Sequence, residues 1–215
     1  MNELIESLFS TYIESSLLDN ILEGIAVLFG IISVILASKN NIWLYPIGII
    51  STGIYVYITF FASLYGDMII QLYYTLMSFY GLLKWRGFQK KENMSSYKIS
   101  FSNRRDYFYT LLIFITSIGV SLLIYMYSDK LKVNYSWVDI FTTGIFASAM
   151  YQMAHKKMEN WLFWALGNFI SIPLYFYKGL ILTSFQFFIF TFLSIKGYIS
   201  WQRKINQKKK KLTIK

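Results

Sequence analysis

Apolar residues dominate seven stretches of this chain, at about residues 21–38, 42–62, 64–85, 107–127, 137–154, 160–177 and 179–201. Each is close to the roughly 20 residues that a helix needs to cross the hydrocarbon layer of a bilayer. The breaks between them are short and polar, and only GFQKKENMSSYKISFSNRRD makes a loop of any size. A soluble helical protein would need a polar face along every helix, which these runs do not supply. The pattern predicts an all-α polytopic membrane protein with seven transmembrane helices.

The runs also repeat. The segment from Asn41 to Trp85 and the segment from Asn160 to Trp201 both begin with Asn close before Trp. Gly48 or Gly167 follows, then a Tyr-rich middle, and each ends in Gly-x-x-x-Trp, as Gly81 with Trp85 and Gly197 with Trp201. The expected organisation is 3+1+3, with repeats at 21–85 and 137–201 joined by a connector helix at 107–127. Corresponding helices then cross in the same direction, the arrangement of parallel repeats with a solute path between the halves. Pro46 and Pro173 fall in corresponding helices, and each is expected to remove a helical hydrogen bond and kink its helix.

Composition sharpens this picture. Of 215 residues 55% are hydrophobic and only 15% are charged, too few charges to cover a soluble surface. The absence of cysteine excludes disulfides and thiolate metal sites, and a single histidine excludes a histidine-rich one. No cofactor or metal is expected. The first twenty residues are acidic, without the basic region of a cleavable signal peptide.

Charge orients the helices. With seven alternating crossings, the loops after the first, third and fifth runs share a side with the C-terminus. Only Lys130, Lys132 and Lys178 of the 21 Lys and Arg residues fall on the other side. The basic side is expected to be cytoplasmic, so the segment 1–20 lies outside, and the loop 86–106 and the tail 202–215 lie inside. The tail's lysines then read as an anchor on anionic lipid, with no nucleic acid implied.

The chemistry lies within the runs. No span holds a paired carboxylate, and the sequence has no His/Asp/Glu metal cluster, phosphate-binding loop or nucleophile elbow, so no enzyme is expected. Asn168 falls near the middle of a run, one helical turn after Trp164 and on the same face, whereas Trp161 reads as an interfacial anchor. A mid-membrane amide either joins helices or faces a polar cavity. Gln71, Gln186, Ser184, Asn134, Asp139 and several tyrosines are candidates to share such a cavity. It would suit a flat, hydrogen-bonding and cationic solute, since ring faces attract cations. No Lys or Arg lies near mid-span to hold a phosphate.

The stretches LLDNILEGIAVLFGIISVILASKNNIWLYPIGIIS, LYGDMIIQLYY, FYGLLKW and ENWLFWALGNFIS resemble the PnuC family of bacterial vitamin transporters over about residues 20–203. The run Asn160, Trp161, Trp164, Asn168 is the most specific part. The resemblance implies facilitated diffusion of nicotinamide riboside across the inner membrane, trapping by a cytoplasmic kinase, and a homotrimer. It places solute contacts on Trp164, Asn168 and Gln71; Tyr74, Tyr45 and Gln186 are added from position and chemistry. Leu82 and Leu83 depart from the family's aromatic pattern, and Ser78 stands where some members have Asn. Thiamine and riboflavin therefore remain alternative solutes, and a membrane structural protein without a solute path remains the alternative class.

Overall fold

The computed structural model describes residues 17–61, 65–90, 99–127, 135–177 and 181–213. The N-terminal segment as far as residue 16, most of the loop that follows Lys90, Asn134 and the last two residues of the tail lie outside the described residues. Seven helices account for nearly everything described: α1 (Leu17–Ser38), α2 (Leu44–Phe61), α3 (Tyr65–Lys90), α4 (Arg104–Tyr127), α5 (Ser136–Ala154), α6 (Asn160–Tyr177) and α7 (Ile181–Thr213). Three of them, α1, α2 and α4, are long and apolar enough to cross a membrane by length and composition. The others dilute their hydropathy with charged ends or with polar residues turned inward. In α5, Ser136, Thr142, Ser148 and Gln152 are buried among Ala147, Ala149 and Gly144, a small-residue surface that lets neighbouring helices approach closely.

Outward faces are apolar. On α3 they carry Leu72, Leu76, Phe79 and Leu83, spaced three or four residues apart. Neighbouring helices pack within α1–α2–α3 and within α4–α5–α6–α7, and the two groups meet where α1 lies on α7 and α3 on α5. The connector α4 packs mainly on α5. It begins in a reciprocal capping box, in which Asn103 and Asp106 each accept the other's backbone N–H at 2.9 Å.

The α1–α2 and α5–α6 turns are built alike. Asn40 and Lys156 both take left-handed backbone, with φ of 57° and 53°. In each turn the two residues after the helix donate back to its last turn, Asn41 to Leu36 and Asn40 to Ala37, Lys157 to Gln152 and Lys156 to Met153. This is the Schellman arrangement, which satisfies carbonyls at a helix end.

The core sits at this same basic end. Tyr45, Trp85, Trp161, Trp201, Met153 and Met158 form one buried cluster. Tyr45 meets Trp85 edge-on at 5.2 Å between ring centres, and Trp161 meets Trp201 edge-on at 5.5 Å. The indole N–H of Trp85 donates to Ala154 at the end of α5, and that of Trp201 donates to Ala37 at the end of α1. Each half of the chain thus closes a helix end of the other.

Three expectations change here. Trp161 is buried, not interfacial, because Gly197 leaves room for its ring on α7. Pro46 lies in the first turn of α2, where its missing N–H costs nothing, and only Pro173 interrupts a helix interior. Helix α7 does not stop at Trp201 but continues to Thr213, since Lys, Arg and Gln favour helix and no Gly or Pro intervenes.

A Cβ at residue 197 would overlap the Trp161 ring, which has no flexible end to withdraw. Replacing Gly197 with Val is expected to lower the thermal midpoint by an amount equivalent to about 1–3 kcal/mol, the usual cost of overpacking. Replacing Gly53 with Ala, where no atom lies within 4 Å, leaves the midpoint near wild type. Thermal unfolding of the purified variants checks both.

Candidate functional site

Helix α6 carries one face on which the interior's rule of polar satisfaction fails. Trp164, Asn168 and Ser171 follow one another at spacings of four and three, so their side chains stack along one stripe. The Trp164 Nε1, Asn168 Oδ1 and Ser171 Oγ atoms are all buried and without a hydrogen-bond partner among the described residues. Asn168 is half-satisfied: its Nδ2 donates to Ser194 Oγ of α7 at 3.3 Å, leaving its carbonyl oxygen open. Ser194 in turn donates to Phe190 of its own helix, so its hydroxyl is fixed as an acceptor toward Asn168. An unmade hydrogen bond in a buried site costs about 1–3 kcal/mol. Three such atoms lie along this one stripe.

Rings surround the stripe. Phe146 of α5 lies 5.6 Å from Trp164 and stacks on Phe187 of α7 at 6.0 Å. Tyr175 of α6 meets Phe187 at 4.8 Å, and Tyr74 of α3 meets Trp164 at 6.5 Å. Gly167 permits this closeness, because a Cβ there would overlap Phe146. Tyr73 donates to the Ala147 carbonyl at 3.1 Å and so ties α3 to α5 beside the stripe. Rings thus pack around Trp164, and one amide oxygen, one indole N–H and one hydroxyl on this face stay buried and unpaired among the described residues.

The expected residues divide. Trp164, Asn168 and Tyr74 come together. Gln71 is half-buried on α3 one turn before Thr75, and its side-chain amide makes no hydrogen bond among the described residues. Gln186 is half-buried beside Phe187 and likewise makes none among them. Tyr45 does not join the stripe; it lies in the core cluster against Trp85 and Gly81. Its hydroxyl, Trp161 Nε1, Asn160 Oδ1 and Asn40 Oδ1 are the other buried unpaired atoms, all toward the basic end. Ser184 donates to the Ile172 carbonyl at 2.8 Å, and Asp139 accepts from Tyr125 at 2.6 Å. Sequence reasoning missed Ser171, Phe146, Phe187 and Ser194. Ser171 had a readable signal, since it continues the Trp164–Asn168 face by one turn; the others depend on which helices pair.

Residues 20–203 match the family profile described as Nicotinamide mononucleotide transporter. The chain belongs to this family, the PnuC transporters. It is 23% identical over 202 residues to the nicotinamide riboside transporter PnuC of Escherichia coli K12, covering 84% of each chain. The Haemophilus influenzae Rd protein of the same name is 26% identical over 190 residues, with 88% of this chain and 82% of the other covered. The riboflavin/roseoflavin transporter RibM of Streptomyces davaonensis is 22% identical over 175 residues, with 81% of each covered. A crystal structure of the vitamin B3 transporter PnuC shares the fold, with a TM-score of 0.66 at 22% identity, over 95% of this chain and 90% of that one.

Near the α5–α6 turn, the basic end gathers Lys84, His155 and Lys156. His155 accepts from Lys84, its Nδ1 lies 2.9 Å from the Tyr151 carbonyl, and burial holds its imidazole below the ordinary value. Lys156 lies 4.0 Å over the Trp85 ring, and burial, with Lys204 nearby, brings its ammonium down to about 8. Below that pH the folded protein bears the cost of a buried charge. As pH rises the folded state releases the proton first, while the unfolded chain keeps it to about 10.5, so stability gains from pH 8 upward. The thermal midpoint of wild type relative to Lys156→Met is therefore expected to rise between about pH 7.5 and about pH 9.5, measured side by side in the same buffers.

Proposed function

We propose that this chain carries nicotinamide riboside across the bacterial inner membrane by facilitated diffusion, binding it on the Trp164–Asn168–Ser171 stripe. The carrying observation is the open Asn168 oxygen beside the open Trp164 indole N–H. A carboxamide offers an N–H2 to the first and an oxygen to the second or to Ser171. The pyridinium ring is flat and cationic and fits among Trp164, Tyr74 and Phe146. Gln71 and Gln186 are the polar groups left for the ribose. A riboside is favoured over its mononucleotide because nothing cationic accompanies the stripe to meet a phosphate.

The path lies between two parallel three-helix repeats, α1–α3 and α5–α7, with α4 as connector. Support comes from pairs that share one constant separation in the chain: Asn40 with Lys156, Tyr45 with Trp161, Ser78 with Ser194, Gly81 with Gly197, and Trp85 with Trp201. The same spacing sets Gly48 against Trp164 and Thr52 against Asn168, so the Trp-x-x-x-Asn pair belongs to the second half alone, while α3 of the first half adds Gln71 and Tyr74. All seven helices cross the membrane in this reading, with the N-terminus outside and the basic end cytoplasmic. The protein assembles as a homotrimer, and a cytoplasmic kinase traps the vitamin by phosphorylation.

Thiamine is the second reading among solutes, carried by its flat cationic rings and amine, and riboflavin is the third, carried by the likeness to a riboflavin transporter. A membrane structural protein without a path is the other class; in it Asn168 and Gln71 bond only to other helices, as the Asn168 Nδ2 does to Ser194 of α7.

Radiolabelled nicotinamide riboside is expected to enter liposomes containing the purified chain, with unlabelled riboside competing better than thiamine or riboflavin. Asn168→Leu and Trp164→Ala each lower uptake roughly tenfold or more, while eluting as wild type on size exclusion. Uptake equal to that of empty liposomes would end the transport reading; stronger competition by thiamine or riboflavin would replace the solute.

A further inference from the structure

Helix α6 starts four residues after the left-handed Lys156, and its first bonds are short-range ones. Asn160, Trp161 and Leu162 donate to Lys157, Met158 and Glu159, at 3.2, 3.3 and 2.9 Å. Glu159 accepts from the first helical N–H groups with its backbone carbonyl, so it occupies the N-cap position. A capping side chain would fold back on its own helix. The Glu159 carboxylate instead reaches across to the segment before α4. It accepts the Ser102 backbone N–H on both oxygens at 2.9 and 3.0 Å, the Ser102 hydroxyl at 2.8 Å and the Tyr107 hydroxyl at 3.2 Å. Only 9% of Glu159 is exposed, so these contacts are what hold a charged group in an apolar setting.

The same segment is fastened to the α5–α6 turn along its length. Ser100 donates its N–H to Lys156 and accepts that of Met158, the single parallel bridge among the described residues. Lys157 holds Asp106 at 2.7 Å and Ser100 Oγ at 3.2 Å. Residues 99–103 therefore form a strap over the turn, and Ile99 packs on the aromatic cluster beneath it. Among the described residues no comparable carboxylate serves the α1–α2 turn, whose partners are Ser200, Trp201 and Lys204 of α7. The half that carries the stripe is the half that carries the strap.

We propose that Glu159 is a positioning residue for solute binding, fixing the first turn of α6 through Ser102 and thereby aiming Trp164 and Asn168. This rests on the stripe being the solute site. Trp164 follows Asn160 by one turn, so any tilt or fraying of the first turn moves its indole directly, and Asn168 lies one turn further on. A displacement on the order of 1 Å is enough to lose well-oriented contacts. Glu159 itself stays at the strap, away from the solute.

The test pairs two readouts on detergent-purified protein: hydrogen exchange of the 161–165 backbone amides, and nicotinamide riboside affinity by calorimetry. In Glu159→Gln, exchange in that segment is expected to quicken roughly tenfold and affinity to fall roughly tenfold, with the elution volume unchanged. Ser102→Ala gives the same two changes in smaller measure, and Ser102→Thr, which keeps the hydroxyl, restores both. Wild-type exchange in Glu159→Gln would overturn the proposal, as would quickened exchange with undiminished affinity. If the wild-type chain binds no nicotinamide riboside, the solute reading fails; exchange that still quickens in Glu159→Gln and recovers in Ser102→Thr upholds the fixing of the turn.

Discussion

An apolar interior surrounded by lipid has no water to repair a missing hydrogen bond, so each polar atom inside must find a partner in the chain or in what the chain carries. Many of this protein's buried polar side chains obey that constraint; among the described residues seven side-chain atoms do not, four of them close to the α1–α2 and α5–α6 turns and three on the α6 stripe. Gln152, fully buried in α5, donates to Thr110 of α4 and accepts from Ser102. Ser33 and Ser51 bond the carbonyls of Leu44 and Ala26 and join α1 to α2. Thr75 reaches Thr52 between α3 and α2. Set beside these, the open atoms of Trp164, Asn168 and Ser171 are concentrated, aligned and ringed by aromatic groups.

The basic end makes the stripe's geometry a property of the whole bundle. Trp85 and Trp201 each donate to the end of a helix in the opposite half, and the rings of Tyr45 and Trp161 fill the hollows over Gly81 and Gly197. Trp164 packs against the edge of that cluster. A movement that separated the halves at this end would have to break two indole hydrogen bonds and unpack four large rings. The strap adds polar bonds among α4, α5 and α6 at this end, where α1 is held instead by Ser200, Trp201 and Lys204 of α7.

Helix existence was legible because apolar runs of nearly uniform length were separated by charged or amide-rich breaks. The Trp164–Asn168 face was legible from helical spacing alone. What escaped the sequence depended on partners distant in the chain. Trp161 looked like an anchor because nothing in its own helix shows that Gly197 opens a recess for it. Tyr45 looked like a cavity wall for the same reason, with Gly81 unseen beneath its ring. Pro46 was misjudged by a turn, since its effect depends on where α2 begins, and helix starts are fuzzy in an unbroken apolar run. Glu159 looked like one more charge in a basic loop, and only the return of residues 99–103 to the α5–α6 turn reveals its role.

The account turns on the Asn168 oxygen meeting a donor on the solute. The most direct test compares nicotinamide riboside with nicotinic acid riboside by calorimetry, because the acid replaces the carboxamide's N–H2 with a carboxylate that has nothing to donate. Wild-type protein is expected to bind the amide at least roughly tenfold more tightly, and Asn168→Leu to bind the two alike. Equal affinity of the wild-type protein for both ribosides would contradict it.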